Sequence, residues 1–164
     1  MHNYNFIELK EEDLPYVLKI YNHYVLNTTA TFQIEPLKIN EMKESFLFKK
    51  PCYKSFIIQD NDNICGYVSI GQYKNRGAYD GTAEISIYLD KNYIGRGIGT
   101  LSLKYAEEFA KKQNFHVLIA VISEENKGSI KFFEKNNFEK CAHLKEIGMK
   151  FGRLIDVVFY QKIL

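Results

Sequence analysis

Three glycines at alternate positions, Gly95, Gly97 and Gly99, form the stretch of this sequence that is best suited to chemistry. They follow a segment, 82–89, in which apolar and polar side chains alternate as in a half-buried strand. From Ile98 onward the apolar residues recur at three- and four-residue steps, which predicts an amphipathic helix. A glycine loop that opens a helix leaves unpaired N–H groups at the positive end of the helix dipole, where phosphate oxygens bind. A tight turn without a ligand is the alternative that the glycines alone leave open.

Two familiar phosphate loops fit this stretch poorly. A P-loop requires Lys followed by Ser or Thr after its last glycine, whereas Gly99 is followed by Thr100 and Leu101. A dinucleotide-binding loop has the spacing G-x-G-x-x-G and comes early in its domain. Here the spacing is G-x-G-x-G, and several predicted strands precede it.

Composition excludes several classes of function. A formal net charge of +2 gives no broad basic field for nucleic acid. No apolar run approaches the roughly 20 residues that span a bilayer, and the first residues lack the pattern of a signal peptide. Cys52, Cys65 and Cys141 are odd in number and far apart, which predicts reduced thiols in a cytoplasmic protein. The four histidines, His2, His23, His116 and His143, have no metal-ligand spacing, so no metal is expected.

The remaining patterns predict the element order β-α-α-β-β-β-α-β-α-β-β. We expect one α/β domain over residues 1–164, with a mixed, mostly antiparallel sheet of about seven strands and about four helices covering both faces. The predicted strands are 4–9, 54–59, 64–73, 82–89, 116–122, 138–147 and 155–163, the fifth of them buried on both faces. Asp13 is predicted to cap the first helix, a second helix is predicted over 39–48, and a turn over 148–152 is predicted to join the last two strands.

A glycine loop after the fourth strand and before the longest helix resembles the acyl-CoA pyrophosphate loop of the GNAT N-acetyltransferases. The resemblance covers essentially the whole chain, including the element order, and is strongest to the phosphinothricin and methionine-sulfoximine acetyltransferases. The matching stretches are Ile20–Tyr24, Thr31-Phe32 with Glu35-Pro36, Ala78–Asp80 with Thr82–Glu84, Ala120–Ile122 and Asp156-Val157.

The resemblance implies an acetyl-CoA site. Main-chain groups of Ile87, Tyr88 and Leu89 would pair with the pantetheine arm as if it were an added strand. The pyrophosphate would be held by N–H groups of Gly95, Arg96, Gly97, Ile98, Gly99 and Thr100. Asn126, which could equally be a plain helix cap, would contact the cofactor arm with help from Ser129.

The resemblance also implies an acceptor site around Glu84. An amine substrate arrives as an ammonium ion, and Glu84 is expected to accept its proton as general base; a solvent-exposed strand residue is the alternative. Arg76 is expected to grip a substrate carboxylate with two hydrogen bonds, although a solvated surface Arg fits equally well. The other predicted substrate contacts are Phe32, Lys74, Asn75, Tyr79, Ile85 and Ser86.

Four positions depart from the family pattern. Ile94 stands where many members have Arg or Gln, and Arg96 is the candidate to compensate. Phe133 replaces a Tyr that would protonate the departing thiolate, so water is expected to do so. Asn137 replaces a Gly, and Leu154 replaces a Trp of the herbicide-detoxifying relatives.

We therefore expect an acetyl-CoA-dependent N-acetyltransferase in which a small amino-acid-like amine attacks the thioester directly. Two alternatives are acetylation of protein amines and a CoA-binding sensor without turnover. A homodimer built on the last two strands is also expected.

Overall fold

The computed structural model describes residues 4–164, which share one seven-stranded sheet in the order β1-β2-β3-β4-β5-β7-β6. The strands are β1 (Tyr4–Glu8), β2 (Lys54–Asp60), β3 (Asn63–Gln72), β4 (Thr82–Leu89), β5 (Val117–Ser123), β6 (Glu139–Lys150) and β7 (Arg153–Ile163). The α-helices are α1 (Leu14–Asn27), α2 (Ile39–Phe46), α3 (Ile98–Lys112) and α4 (Lys127–Lys135). Single 3-10 turns occur at Glu11–Asp13, Gly77–Tyr79 and Lys91–Tyr93.

Helices cover both faces of this sheet because the strands carry apolar side chains on both faces. On one face, Ile57 and Tyr67 pack with α1 and α2. On the other face, Val68 and Ile85 pack with α3 and α4. All neighbouring strands are antiparallel except β4 and β5, so the predicted mixed, mostly antiparallel α/β fold is confirmed.

Most predicted boundaries are confirmed to within a few residues. The bounds of β4 and the first residue of α3 are those predicted from the sequence. The predicted second helix is too long, since α2 ends at Phe46. Asp13 occupies the N-cap position of α1 as predicted, but its carboxylate accepts the N–H of Lys10 at 2.9 Å and makes no cap bond to α1. The side chain closes the preceding 3-10 turn instead.

Two predictions about the last three strands need correction. The turn between β6 and β7 is shorter than 148–152, because Lys150 pairs with Arg153 and only Phe151 and Gly152 lie between them. Both have positive φ, 53° and 75°, which suits a two-residue hairpin that follows the twist of the strands. Strand β5 is not buried on both faces throughout, because Val121 is 39% exposed.

Gly66 on β3 allows the end of β4 to approach closely. A Cβ atom at this position would lie 2.6 Å from both the carbonyl oxygen of Tyr88 and Cδ2 of Leu89. We expect Gly66→Ala to lower the free energy of unfolding by about 1–3 kcal/mol, because overpacking forces backbone shifts. Urea denaturation would measure this loss. Gly77→Ala is the matched control, since a Cβ there meets nothing within 4 Å; equal losses in the two variants would contradict the prediction.

Candidate active site

The site begins where β4 and β5 part. These parallel strands are paired only from Thr82 to Glu84 on one side and from Val117 to Ile119 on the other. Beyond that point β4 stays paired with β3 up to Leu89, and β5 stays paired with β7 up to Ser123. Each strand therefore has one edge without a partner strand, and the gap between them opens toward α3.

The glycine loop lies at the wide end of this gap. Gly95 and Gly97 have φ values of 82° and 78°, and a Cβ atom on either would meet nothing within 4 Å. Gly97 is the N-cap residue of α3 and has no side chain that could cap the helix. The first backbone hydrogen bond of the helix is the one that the N–H of Leu101 donates to the carbonyl oxygen of Gly97. The N–H groups at the start of α3 are thus left without intrahelical partners, as an anion site requires.

A cleft of about 460 Å³ connects this loop with the open edge of β4, and we call it the glycine-loop cleft. It also includes the start of α4, where Phe132 packs 3.2 Å from the position that a Cβ of Gly99 would take. Among the described residues that line it there is no Lys or Arg, so its donors to an anion are backbone N–H groups and the neutral side chains of Thr100, Asn126 and Ser129. The residues predicted to bind cofactor that line it are Ile87, Tyr88, Leu89, Gly95, Gly97, Gly99, Thr100, Asn126 and Ser129.

Asn126 combines the two roles considered from the sequence. It is the N-cap of α4, with Oδ1 accepting the N–H of Ser129 at 3.1 Å, and it also lines the glycine-loop cleft. Since the cap uses only the carbonyl oxygen, the side-chain NH₂ group is left to donate elsewhere.

Two predicted cofactor residues do not line the cleft with their side chains. Ile98 is buried in a small apolar cluster, so only its backbone is suited to bind phosphate. The guanidinium carbon of Arg96 lies 4.7 Å from the centre of the Tyr93 ring and outside the cleft lining. A contact of Arg96 with the pyrophosphate, in place of the one that Ile94 cannot make, stays a prediction.

A second cleft, of about 360 Å³, surrounds Glu84, and we call it the Glu84 cleft. Because side chains alternate along the strand 82–89, Glu84 shares a face with Ser86 and Tyr88, while Ala83 and Ile85 are buried in the core on the other face. Burial raises the pKa of Glu84 above its ordinary value, because desolvation disfavours the charged form. Among the described residues that line this cleft, Glu84 is the one charged side chain.

The two clefts meet at four residues that line both: Ala30, Ser86, Tyr88 and Val121. Tyr88 is fixed there by aromatic neighbours, with its ring centre 5.3 Å from that of Tyr21 and 5.3 Å from that of Tyr24. Tyr24 also donates a 2.6 Å hydrogen bond to the carbonyl oxygen of Leu89 and thereby holds the end of β4. A group transferred between the clefts would pass this junction.

The predicted substrate residues divide into three groups. Phe32 and Ser86 line the Glu84 cleft, whereas Ile85 is a core residue that borders the glycine-loop cleft. Four others lie on the exposed connection between β3 and β4 and line neither cleft: Lys74, Asn75, Arg76 and Tyr79. Lys74 lies over the rings of Tyr73 and Tyr79, at 5.2 and 5.5 Å from their centres.

Sequence reasoning missed several polar and aromatic residues of the Glu84 cleft. They come from helices, loops and strands that are distant in the chain: Tyr21, Thr29, Thr31, Phe46, Phe48, Ser69, Gln72 and Ser123. Tyr21 lies in the matching stretch Ile20–Tyr24 and belongs to the buried, mostly apolar stripe of α1. A hydroxyl group within that stripe was the available signal, because a buried Tyr needs a polar partner; here the partner is Thr31 Oγ1 at 2.7 Å.

Phe133 is buried in the core and also lines the glycine-loop cleft, so this position supplies no acid.

None of the three cysteines lines either cleft, and all three are free thiols. Among residues 4–164, no three His, Cys, Asp or Glu side chains are grouped to hold a metal ion; His2 lies outside the described residues. No helix in the described part of the chain is long and apolar enough to cross a membrane.

A sheet opened between two parallel strands, beside a helix that begins at bare glycines, suits a transferase that uses an acyl-CoA donor. The chain belongs to the acetyltransferase (GNAT) family, whose model matches residues 17–138. It is therefore an N-acetyltransferase whose acetyl donor is acetyl-CoA. The glycine loop and the open edge of β4 fit this donor in chemistry, since the first offers donors for a diphosphate and the second offers main-chain groups for the pantetheine amides.

Comparisons with individual proteins agree on the family and differ in acceptor. The chain is 32% identical to an L-methionine sulfoximine/L-methionine sulfone acetyltransferase of Pseudomonas aeruginosa, over 91% of this chain and 88% of that protein. The structure of a phosphinothricin acetyltransferase from Sinorhizobium meliloti with bound acetyl-CoA has a TM-score of 0.93 and 30% identity, covering 100% of this chain and 89% of that one. A ribosomal-protein-alanine N-acetyltransferase from Brucella melitensis has a TM-score of 0.91 and 33% identity, covering 98% and 99%.

Proposed function

We propose that this enzyme acetylates the amine of a small, amino-acid-like substrate of the methionine sulfone, methionine sulfoximine or phosphinothricin type, with Glu84 as general base. The observation that carries the proposal is the Glu84 cleft itself. It is a small cavity with a single charged group, a carboxylate, and it joins the glycine-loop cleft at Ser86 and Tyr88. A carboxylate in this position attracts an ammonium group and can accept its proton.

Acetyl-CoA supplies a thioester that an unprotonated amine can attack. The contribution of Glu84 is to take the proton from the ammonium form, directly or through water, and its raised pKa brings it closer to the range in which a base works well at neutral pH. We propose direct transfer to the amine, because no cysteine lines either cleft to serve as a thiol nucleophile. With Phe133 in place of a tyrosine, we propose that water protonates the thiolate.

The size of the Glu84 cleft favours a free amino acid over a protein chain. The loop 28–36, which we call the acceptor loop, contributes Thr29, Thr31 and Phe32 to its lining. This loop covers part of the space that a long peptide groove would need. The activities named for the Pseudomonas and Sinorhizobium relatives support the same substrate class.

We propose that Arg76 binds the carboxylate of the substrate. The described lining of the Glu84 cleft contains no cation, so an ion pair with a carboxylate requires a residue from outside it, and Arg76 lies on the exposed connection that leads into β4. We expect Arg76→Gln to raise KM roughly tenfold for a free amino acid, because a hydrogen bond between charged groups contributes about 1.5–3 kcal/mol. The same amino acid as its carboxamide is the control and should lose little. An equal effect on both compounds would rule out the carboxylate contact.

Release of CoA thiol over a panel of acceptors tests the proposed function. The panel would contain methionine sulfone, methionine sulfoximine, phosphinothricin, ordinary amino acids and a peptide with an N-terminal alanine. We expect turnover with members of the first group and little with the peptide. Preference for the peptide would favour a protein acetyltransferase, and binding of CoA without turnover would favour a sensor.

We also propose a homodimer and a cytoplasmic location. The hairpin of β6 and β7 exposes a group of large apolar side chains, as an interface between two copies would require: Leu144, Ile147, Met149, Phe151 and Leu154. The three free thiols suit a reducing compartment. Light scattering with the purified protein would test the dimer.

A further inference from the structure

Lys150, at the end of β6, is a buried lysine outside the lining of both clefts. Its side chain is 3% exposed, and its ammonium group donates a 2.8 Å hydrogen bond to the carbonyl oxygen of Thr31. Among the described residues no carboxylate lies within ion-pair distance of this group. Burial lowers the pKa of Lys150, as expected for an ammonium group without a counter-ion. Such a group adds little to stability, so its effect must be sought in what it holds in place.

What it holds is the middle of the acceptor loop. Thr31 belongs to the lining of the Glu84 cleft, and its hydroxyl group contacts the hydroxyl of Tyr21 at 2.7 Å. Among the described residues, the hydrogen bond from Lys150 is the one hydrogen bond that joins the β6–β7 hairpin to the backbone of this loop. Thr31 is therefore fixed from two sides, by α1 through its side chain and by the hairpin through its carbonyl.

The next residue of the loop is held by the same hairpin. The ring of Phe32 packs on Gly148, with Cζ 3.1 Å from the position that a Cβ of Gly148 would occupy. A side chain at Gly148 would push this ring away from the hairpin. Gly148 and Lys150 are two residues apart on β6, so their contacts to the loop are made from the same side of the strand.

We propose that Lys150 is a positioning residue that holds the acceptor loop over the Glu84 cleft and so sets the affinity for the acceptor amine. This inference rests on the proposed function of that cleft. It assigns to a residue far from the reacting groups a share in substrate specificity, through Thr31 and Phe32. The donor side should change little, because none of Lys150, Gly148, Thr31 and Phe32 lines the glycine-loop cleft, to which the acceptor loop contributes Ala30.

The first test is Lys150→Met, which keeps an unbranched side chain one atom shorter and removes its donor. We expect KM for the acceptor to rise roughly tenfold, in line with the loss of one charged hydrogen bond, while KM for acetyl-CoA stays unchanged. Hydrogen exchange in the segment 28–36 should become faster, and Tm should be equal or higher. Lys140→Met is the matched control, because Lys140 is exposed on the same strand. An unchanged KM for the acceptor would overturn the proposal. A rise of both KM values together with a lower Tm would overturn it as well.

A second variant decides the case where Lys150→Met does not fold. Gly148→Ala displaces Phe32 by a methyl group and should likewise raise the acceptor KM and speed up exchange in segment 28–36. Unchanged exchange in this variant would overturn the proposal. Because exchange is measured without any substrate, an enzyme that fails to acetylate the whole acceptor panel would refute the proposed function and leave the test of the loop intact.

Discussion

Glu84→Gln should lower kcat by a factor of about 10²–10⁴, the usual contribution of a general base. The amide has nearly the shape of the carboxylate and cannot accept the proton of the ammonium ion. Affinity for acetyl-CoA should stay the same, because Glu84 does not line the glycine-loop cleft. Stopped-flow or steady-state thiol release and calorimetry would measure the two quantities. Glu108→Gln, an exposed change of the same kind on α3, is the control.

The pH dependence of the wild type gives an independent measure of the same role. A general base works only when deprotonated, so kcat/KM should fall as pH is lowered through the pKa of Glu84. Since burial raises that pKa, the fall in kcat/KM should lie above the ordinary pKa range of a Glu side chain, and Glu84→Gln should remove it.

The raised pKa of Glu84 also means that the native state binds this proton more tightly than the unfolded state. Stability in that window should therefore decline as pH rises, and Glu84→Gln should not lower Tm at neutral pH. Turnover that survives the substitution unchanged would end the assignment of Glu84 as base.

Gly97→Val should weaken binding of acetyl-CoA roughly tenfold or more, because each hydrogen bond to a charged phosphate contributes about 1.5–3 kcal/mol. A β-branched residue does not adopt the left-handed conformation that Gly97 has, φ 78°, so the loop must change its path and the N–H groups at the start of α3 lose their direction. Isothermal titration calorimetry with acetyl-CoA would measure the change.

Gly152→Val provides the matched control for this prediction. Gly152 has nearly the same φ, 75°, and equally open surroundings, but it lies in the β6–β7 hairpin, away from both clefts. Both variants should lose stability of a similar order, about 1–2 kcal/mol for left-handed backbone. Only Gly97→Val should lose affinity for acetyl-CoA. Equal affinities in the two variants would refute the view that the glycine loop holds the diphosphate.

Features that depend on neighbours along the chain were predictable from the sequence. The alternation from Thr82 to Leu89 gave both the limits of β4 and the face that carries Glu84. The glycines followed by a 3.6-residue period gave the start of α3 at Ile98. Asn137, which replaces a Gly of the family pattern, has left-handed backbone with φ 64°, a conformation that Asn tolerates better than most residues.

Other features were missed because side chains at turns have competing local partners. The carboxylate of Asp13 bonds backwards to Lys10 rather than forwards into α1, and both geometries use the same residue type. The predicted turn 148–152 was too long because a glycine at each end suggested a loop, whereas Phe151 and Gly152 suffice to reverse the chain. Neither choice is fixed by residue type alone.

By itself, the sequence determined the family, the donor loop and the strand that carries Glu84, because each rests on a short stretch whose periodicity and glycine content restrict the backbone directly. The tertiary structure decided how the acceptor side is enclosed. It leaves Lys74 and Tyr79 outside both clefts and brings Lys150 to Thr31, a residue 119 positions away in the chain. Contacts of this kind depend on where β4 parts from β5 and on how the last hairpin folds over the sheet, and no local pattern encodes either of them.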